Sequence, residues 1–517
     1  MYLTQGLHRA LQRDPGRTAT IDGDRNRTFA ESTDRIARLA GALRALGVRD
    51  GARVAMMSLN SDRYLEYLWA TCWADGVINT VNIRWSPAEI AGSLTDCDTR
   101  VLFVDRTFLP VVEELRRACP QLAHVVFCGD GPAPDGTLGF EELVAAHEPV
   151  PDARRGGGSA AAIFYTGGTT GAAKGVVLSH AGLLTSAYGC MATTRFVTPG
   201  GSMLHAAPMF HLGDLAGWVA HGVAGNTQVV IPQFEPVAFL EAVQRHRVTD
   251  VLLVATMAQM VIDHPRAADA DLTSLRRMIY GAAPISDAVL ERLMARLPQL
   301  ELVQTYGMTE LSPVATILPP EDHRPGSSRL RSAGRAAAHT ELRVVDPEGR
   351  EVPRGEVGEI VVRGGHVMTG YRNRPEETAQ ALREGWMHTG DGGRLDEDGY
   401  LYLVDRIKDM IITGGENVYS TEVENVLAAH PAVATCAVVG VPDDTYGERV
   451  HAVVVLHPGR SVDGAELREF VKTRIAGYKA PRSVSFTDAL PLSAAGKVLK
   501  RDLRAQLADG DAEVPAQ

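Results

Sequence analysis

Short apolar runs alternate with stretches whose apolar residues recur at helical spacing, and this alternation narrows the choice of fold more than any other feature of the chain. RIARLAGALRALG (35–47) carries its apolar residues along one helical face. ARVAMMS (52–58) and TRVLFVD (99–105) are nearly continuous apolar runs closed by turns, the pattern of strands buried on both faces. TDVLLVAT (249–256), SLRRMIYGAAP (274–284) and LELVQTYG (300–307) continue the alternation. An α/β fold of helix-covered sheets follows, with ligand-binding loops expected where strands end. The glycine-rich PDARRGGGSAAA (151–162) leads into the strand-like AAIFYTG and reads as a loop.

The pattern changes from about residue 340. ELRVVDPEGREVPRGEVGEIVVRG breaks valine-rich runs with Asp-Pro-Glu-Gly and Pro-Arg-Gly, which predicts a small β-rich subdomain. A boundary is expected near DRIKDMI (405–411). Beyond it TEVENVLAAH, ATCAVVGVP, VHAVVVLHP and LREFVKTRIAG alternate helix and strand as a compact α+β domain. The polar tail LADGDAEVPAQ is expected to carry no chemistry.

At 517 residues the chain exceeds what one hydrophobic core organises, so at least two domains are expected. Lys and Arg total 52 against 63 Asp and Glu, a net charge of −11 that disfavours a broad nucleic-acid footprint. Six scattered cysteines without a C-x-x-C pair point to neither a zinc site nor a disulfide framework and suit a reducing cytoplasm. MYLTQGLHRALQRDP is interrupted by charge too early for a signal peptide. The strongest apolar stretch, VLLVATMAQMVI (251–262), is shorter than the ~20 residues a membrane-spanning helix requires and reads as buried core.

Five segments carry candidate chemistry. Tyr165-Thr-Gly-Gly-Thr-Thr-Gly-Ala-Ala-Lys-Gly175 follows an apolar run and suits a polyphosphate, since its glycines let backbone N–H groups converge and its threonines add donors. It lacks the G-K-[ST] of a Walker A loop, and on composition alone a flexible surface hairpin also fits. Gln304-Thr-Tyr-Gly-Met-Thr-Glu310 puts Thr309 and Glu310 just past a strand, where a carboxylate suits Mg²⁺, although a helix-start glutamate would look the same. Trp386-Met-His-Thr-Gly-Asp391 reads as a turn ending in an aspartate able to accept two ribose hydroxyls, or as a turn only. Asp405-Arg-Ile-Lys-Asp409 places a charged crossing before the glycine pair of Thr413-Gly-Gly-Glu416, and surface ion pairs would explain its charges equally. Pro491-Leu-Ser-Ala-Ala-Gly-Lys-Val498 sets Lys497 on a glycine-preceded turn, a position where most lysines are merely solvated.

In this order and at these spacings, the phosphate loop, GAAP, YGMTE, GEVGE, HTGD, DRIKD and the terminal Gly-Lys resemble the adenylate-forming superfamily of acyl-CoA synthetases, nonribosomal peptide adenylation domains and beetle luciferases, over nearly the whole chain. The resemblance implies an ATP-dependent acid–thiol ligase with residues 1–407 as an AMP-binding domain and 408–517 as a mobile domain carrying Lys497. It implies that Thr166, Gly167, Gly168, Thr169, Thr170, Gly171 and Lys174 hold the β- and γ-phosphates, with Thr170 and Glu310 as Mg²⁺ ligands and Thr309 beside them. Gly281, Ala282, Ala283, Tyr306 and Gly307 would flank adenine and the acyl pocket, and Asp391 and Arg406 would grip the ribose. Lys497 would bridge the acid and the α-phosphate, after which rotation about Lys408 would bring Gly414 and Gly415 toward the pantetheine of CoA. His211 joins Lys497 and Glu310 as a candidate catalytic residue, from its match to an aromatic position near the acyl channel.

Three positions depart from the family pattern. Ala173 and Ser420 stand where proline is usual, and Gly167 stands where many members have serine, removing one hydroxyl donor to phosphate. Cofactor and substrate expectations are ATP, Mg²⁺, coenzyme A and a small carboxylic acid, with the apolar, small-residue stretch Met209–Phe234 favouring a fatty or aromatic one. A monomer or homodimer with no nucleic-acid partner and no membrane span is expected. The same motifs would serve transfer to a carrier-protein thiol, an amine or water, or nitrite-dependent diazotisation. A catalytically dead nucleotide-binding module is disfavoured because Lys497, Glu310, Asp391 and Arg406 are all present.

Overall fold

The computed structural model describes residues 1–166, 173–281, 285, 287–406, 409–414, 416–443, 445–492 and 498–508, with the backbone alone at 405, 406, 417 and 508. The chain divides into two compact units, Met1–Leu342 with Val362–Met387 and Arg343–Val361 with His388–Gln517.

Two large sheets build the first unit. In the eight-stranded sheet the parallel strands Arg53–Met57, Val77–Thr80, Val101–Val104 and His124–Phe127 are buried almost throughout, as continuous apolar runs demand. Ala160–Thr166 joins them parallel to Val77–Thr80, and Lys174–Ser179 folds back on it antiparallel. The nine-stranded sheet sets Ser202–His205, Asp250–Val254, Arg277–Gly281 and Glu301–Gly307 side by side in parallel, then reverses at Val314–Leu318. Helices supply the crossovers and begin where local chemistry directs. Thr28 with Glu31 and Ser86 with Glu89 form reciprocal capping boxes, and Pro87 occupies the first turn behind Ser86.

The expected strands are present, and the helix expected at 35–47 is present as Phe29–Ala45, which starts earlier and ends two residues sooner. VLLVATMAQMVI differs from its reading as uniform core. It leaves strand for helix after Val254, and on helix Ala255–Asp263 only part of the surface turns inward, so Met260 is 52% exposed. Five of the six cysteines are buried as free thiols, and burial pushes Cys97 up to about 11 and Cys190 up to about 12, which keeps them unreactive.

In the second unit the antiparallel strands Trp386–Leu395 and Leu401–Arg406 belong to a five-stranded sheet with Glu341–Val345 and Gly358–Arg363. A second small sheet pairs Val433–Asp443 with Gly447–Leu456 along their length and adds Ser483–Phe486 in parallel. Helices Ser420–Ala428 and Gly464–Lys472 cover it through Val423, Leu427, Leu467 and Val471. Among the described residues no helix is long and apolar enough to cross a membrane.

Candidate active site

The root of the glycine- and threonine-rich loop is set by register. Thr166 ends its strand directly opposite Lys174, and Tyr165 lies opposite Gly175, so residues 167–172 connect two backbone positions already paired across the hairpin. The Tyr165 hydroxyl donates to Asp96 at 2.6 Å, tying that root to the end of helix Pro87–Asp96. Gly167, Gly168, Thr169, Thr170 and Gly171 lie outside the described residues.

Arg277–Gly281 and Glu301–Gly307 run parallel with Gly281 beside Thr305, so both deliver their following residues to the same sheet end. A methyl group at Gly281 would overlap the Thr305 carbonyl, and one at Gly307 the Pro313 carbonyl, which explains glycine at both positions. Ala282 and Ala283 lie outside the described residues. Tyr306 is half-buried on the second strand, and Thr309–Leu311 forms one tight turn beyond it.

Glu310 is 6% exposed on that turn and is held at both backbone and side chain. Met368 N–H donates to the Glu310 carbonyl at 2.8 Å, and the Tyr371 hydroxyl donates to Oε1 at 2.9 Å. The short strand Gly370–Tyr371 lies antiparallel on Lys174–Ser179, and the Lys174 ammonium stands 5.1 Å from the centroid of the Tyr371 ring. Burial, reinforced by the Glu310 carboxylate, pushes the Tyr371 hydroxyl far above its ordinary value. The sequence reading missed Tyr371. Its only local signal is an aromatic residue after a left-handed glycine, Gly370 at φ +151°, and its partner lies 61 positions away.

His211 precedes helix Leu212–Ala224 with its ring 4.3 Å from that of Phe210. Below it the helix is anchored by a buried network. His205 Nδ1 lies 2.6 Å from Asp214 and its Nε2 2.9 Å from Gln228 Oε1, with no exposed surface on His205 or Asp214. Burial alone lowers the His205 value, but Asp214 and Gln228 outweigh it and raise it, so the imidazolium is favoured.

In the second unit Asp391 corrects its reading as the end of a turn. It lies within the continuous strand Trp386–Leu395, where left-handed Gly390, at φ +70°, re-aims the chain without ending the pairing. Asp391 faces Arg406 in register on the neighbouring strand. Glu359 supports the segment by accepting from Gly390 N–H at 3.1 Å and meeting His388 Nδ1 at 2.7 Å. Gly414 adopts φ +62° and donates its N–H to the Tyr446 carbonyl at 2.8 Å. Lys408, Gly415 and Lys497 lie outside the described residues.

No group of three or more His, Cys, Asp or Glu that could hold a metal exists among the described residues. One buried carboxylate, Glu310, whose partner Tyr371 lies 5.1 Å from the Lys174 ammonium, fits Mg²⁺, which is usually held by one or two carboxylates with substrate phosphates completing the shell.

Comparison with known proteins adds independent findings. Residues 7–372 match the AMP-binding enzyme family and residues 422–497 the AMP-binding enzyme C-terminal domain. A feruloyl-CoA synthase of Amycolatopsis is 41% identical over 498 residues, covering 96% of this chain and 97% of the relative. A fatty acid–[acyl-carrier-protein] ligase, ScoC of Streptomyces coeruleorubidus, is 36% identical over 95% of this chain and 94% of the relative. ATP-bound MatB from Rhodopseudomonas palustris superposes with a TM-score of 0.89 at 32% identity, covering 98% of this chain and 99% of MatB.

Proposed function

Because the chain belongs to the AMP-binding enzymes of the adenylate-forming superfamily, we propose that the acid it activates is aromatic. Its reaction is the ATP-dependent conversion of a carboxylic acid, by way of an acyl adenylate, into acyl-CoA with release of AMP and pyrophosphate. The observation that carries the aromatic reading is the 41% identity to a feruloyl-CoA synthase along almost the full length of both chains. The apolar composition of Met209–Phe234 agrees with it.

In the first step a carboxylate oxygen attacks the α-phosphorus and the bond to pyrophosphate breaks. The protein's part is positioning and neutralising charge. We assign Thr166, Lys174 and the loop between them to the β- and γ-phosphates, Gly281–Ala283, Tyr306 and Gly307 to adenine and the acid, and Asp391 with Arg406 to the ribose. Glu310 and Thr170 would hold Mg²⁺ beside the phosphates, where it would supply further charge neutralisation. Lys497 bridges acid and α-phosphate. Rotation about Lys408 withdraws it, and Gly414 and Gly415 admit CoA, whose sulfur attacks the acyl carbonyl. AMP leaves with one former carboxylate oxygen, and the thiol proton passes to solvent. His211 stands beside the acyl channel. We place the enzyme in the cytoplasm, as a monomer or homodimer.

The ScoC relative favours one second reading, transfer of a fatty acyl group to a carrier-protein thiol. Pyrophosphate release across hydroxycinnamates, arylacetates and medium- and long-chain fatty acids, with and without CoA, separates the two. Hydroxycinnamates turning over best with CoA as acceptor is the expected result. Preference for fatty acids, or a product formed only with a carrier protein, would overturn it.

A further inference from the structure

We propose that Tyr371 is a positioning residue that sets Glu310 and Lys174 together against the magnesium-bearing triphosphate of ATP. The inference rests on the assignment of those two residues to ATP. Three separate pieces of the first unit meet at this side chain: the strand that begins with Lys174, the turn that carries Glu310, and the segment around Gly370–Tyr371.

Backbone hydrogen bonds fix the segment on both sides. Thr369 N–H donates to the Val177 carbonyl at 3.0 Å, Arg372 N–H to the Gly175 carbonyl at 2.7 Å, and Met368 N–H to the Glu310 carbonyl at 2.8 Å. Tyr371 N–H donates to Thr378 Oγ1 at 2.9 Å, so the backbone that carries the ring is pinned as well. From this frame the side chain acts at two points. Its hydroxyl occupies Oε1 of Glu310 at 2.9 Å, which fixes the plane of the carboxylate. Its ring face lies 5.1 Å from the Lys174 ammonium, which restricts a long, flexible side chain to one side of the site. A ligand that takes both a cation near a carboxylate and an ammonium against its anionic oxygens has the chemistry of a magnesium polyphosphate. A second tether runs from Arg372 Nε and Asn373 Nδ2 to the Asp96 carbonyl, at 2.9 and 3.0 Å. Asp96 also receives the Tyr165 hydroxyl at the root of the phosphate loop, so the same segment grips both ends of that loop.

Calorimetric titration of ATP without any acid, with and without Mg²⁺, tests this on the full chain and needs no turnover. Tyr371→Phe keeps the ring and removes the hydroxyl. It should weaken Mg-ATP binding by roughly tenfold, the size of one hydrogen bond to a charged group, and leave magnesium-free ATP within about twofold. Its KM for ATP should rise while the KM for the acid stays unchanged. Tyr371→Leu also removes the ring and should weaken magnesium-free ATP too. Tyr371→Phe binding Mg-ATP like the native chain, or weakening ATP equally with and without Mg²⁺, would overturn the proposal. Glu310→Gln distinguishes the two levels. If that substitution weakens Mg-ATP while Tyr371→Phe does not, only the role of Tyr371 falls; if Glu310→Gln is silent, the assignment of Glu310 falls and the Tyr371 proposal with it.

Discussion

The first unit carries the residues proposed to meet the triphosphate at the ends of strands in large, mostly parallel sheets, whereas the second carries Asp391 within an antiparallel strand and Gly414 on a left-handed turn. Thr166, Lys174, Gly281, Gly307 and Glu310 are thus backed by deeply buried strands, and Glu310 is held through both backbone and carboxylate. The second unit closes on a smaller core around Val423, Val438, Val450 and Leu467. Such a contrast suits a fixed cradle for the triphosphate in the first unit, whereas the proposed pivot, Lys408, falls within the second, so the proposed moving piece is residues 408–517 and not that whole unit.

The sharpest way to break that division is Lys497→Ala. Adenylation, read as pyrophosphate release, should fall by about a hundredfold or more, while thioester formation from supplied acyl adenylate should stay within a fewfold of native. Equal losses in both half-reactions would remove the division of labour. Lys408→Pro should act in the opposite sense, on the order of tenfold on the thioester step and less on adenylation, because proline fixes the backbone at the assigned hinge. The reverse ordering would dismiss Lys408 from that role.

A smaller effect separates the units by acid stability. Burial holds His180, His221 and His366 of the first unit at about 4, about 3 and about 3, with Arg155, His205 and His339 respectively adding to the shift. In the second unit burial, with Arg449, holds His451 at about 4. All four are depressed in the folded chain, so the unfolded chain takes up protons first. The stability they contribute is complete above the unfolded value near 6.5 and is lost as pH falls toward 4 and 3. By pH 5 each costs up to about 2 kcal/mol, so hydrogen exchange should show the first unit opening before the second as pH falls from 7 to 5. Parallel loss in both units would contradict this.

What was legible in the sequence followed from local chemistry. Continuous apolar runs announced the buried strands at 53–57, 101–104, 250–254 and 301–307, and glycine with turn residues announced the β-rich stretch after residue 340. The placement of Glu310 just beyond a strand end was legible in the sequence, whereas the register that sets Thr166 opposite Lys174 was not, because pairing across the hairpin leaves no local signal. Thr-Gly-Asp is a turn signature locally, and only pairing with Leu401–Arg406 keeps Asp391 in a strand. The run 251–262 reads as core because an apolar run does not say where a strand becomes a helix and turns part of its surface, here Met260, outward. Tyr371 was invisible because its partners, Glu310 and Lys174, meet it only through tertiary contact.

The acyl adenylate itself is tested most directly by oxygen transfer. With a hydroxycinnamate labelled with ¹⁸O in both carboxylate positions, together with ATP and CoA, attack of a carboxylate oxygen on the α-phosphorus leaves that oxygen in AMP when sulfur displaces it. An acyl-adenylate intermediate leaves one ¹⁸O atom in the phosphate of each AMP released, with none in pyrophosphate. Label appearing in inorganic phosphate alongside ADP would mean attack at the γ-phosphorus, and unlabelled AMP would mean that the acid never joined the nucleotide; either result would contradict it.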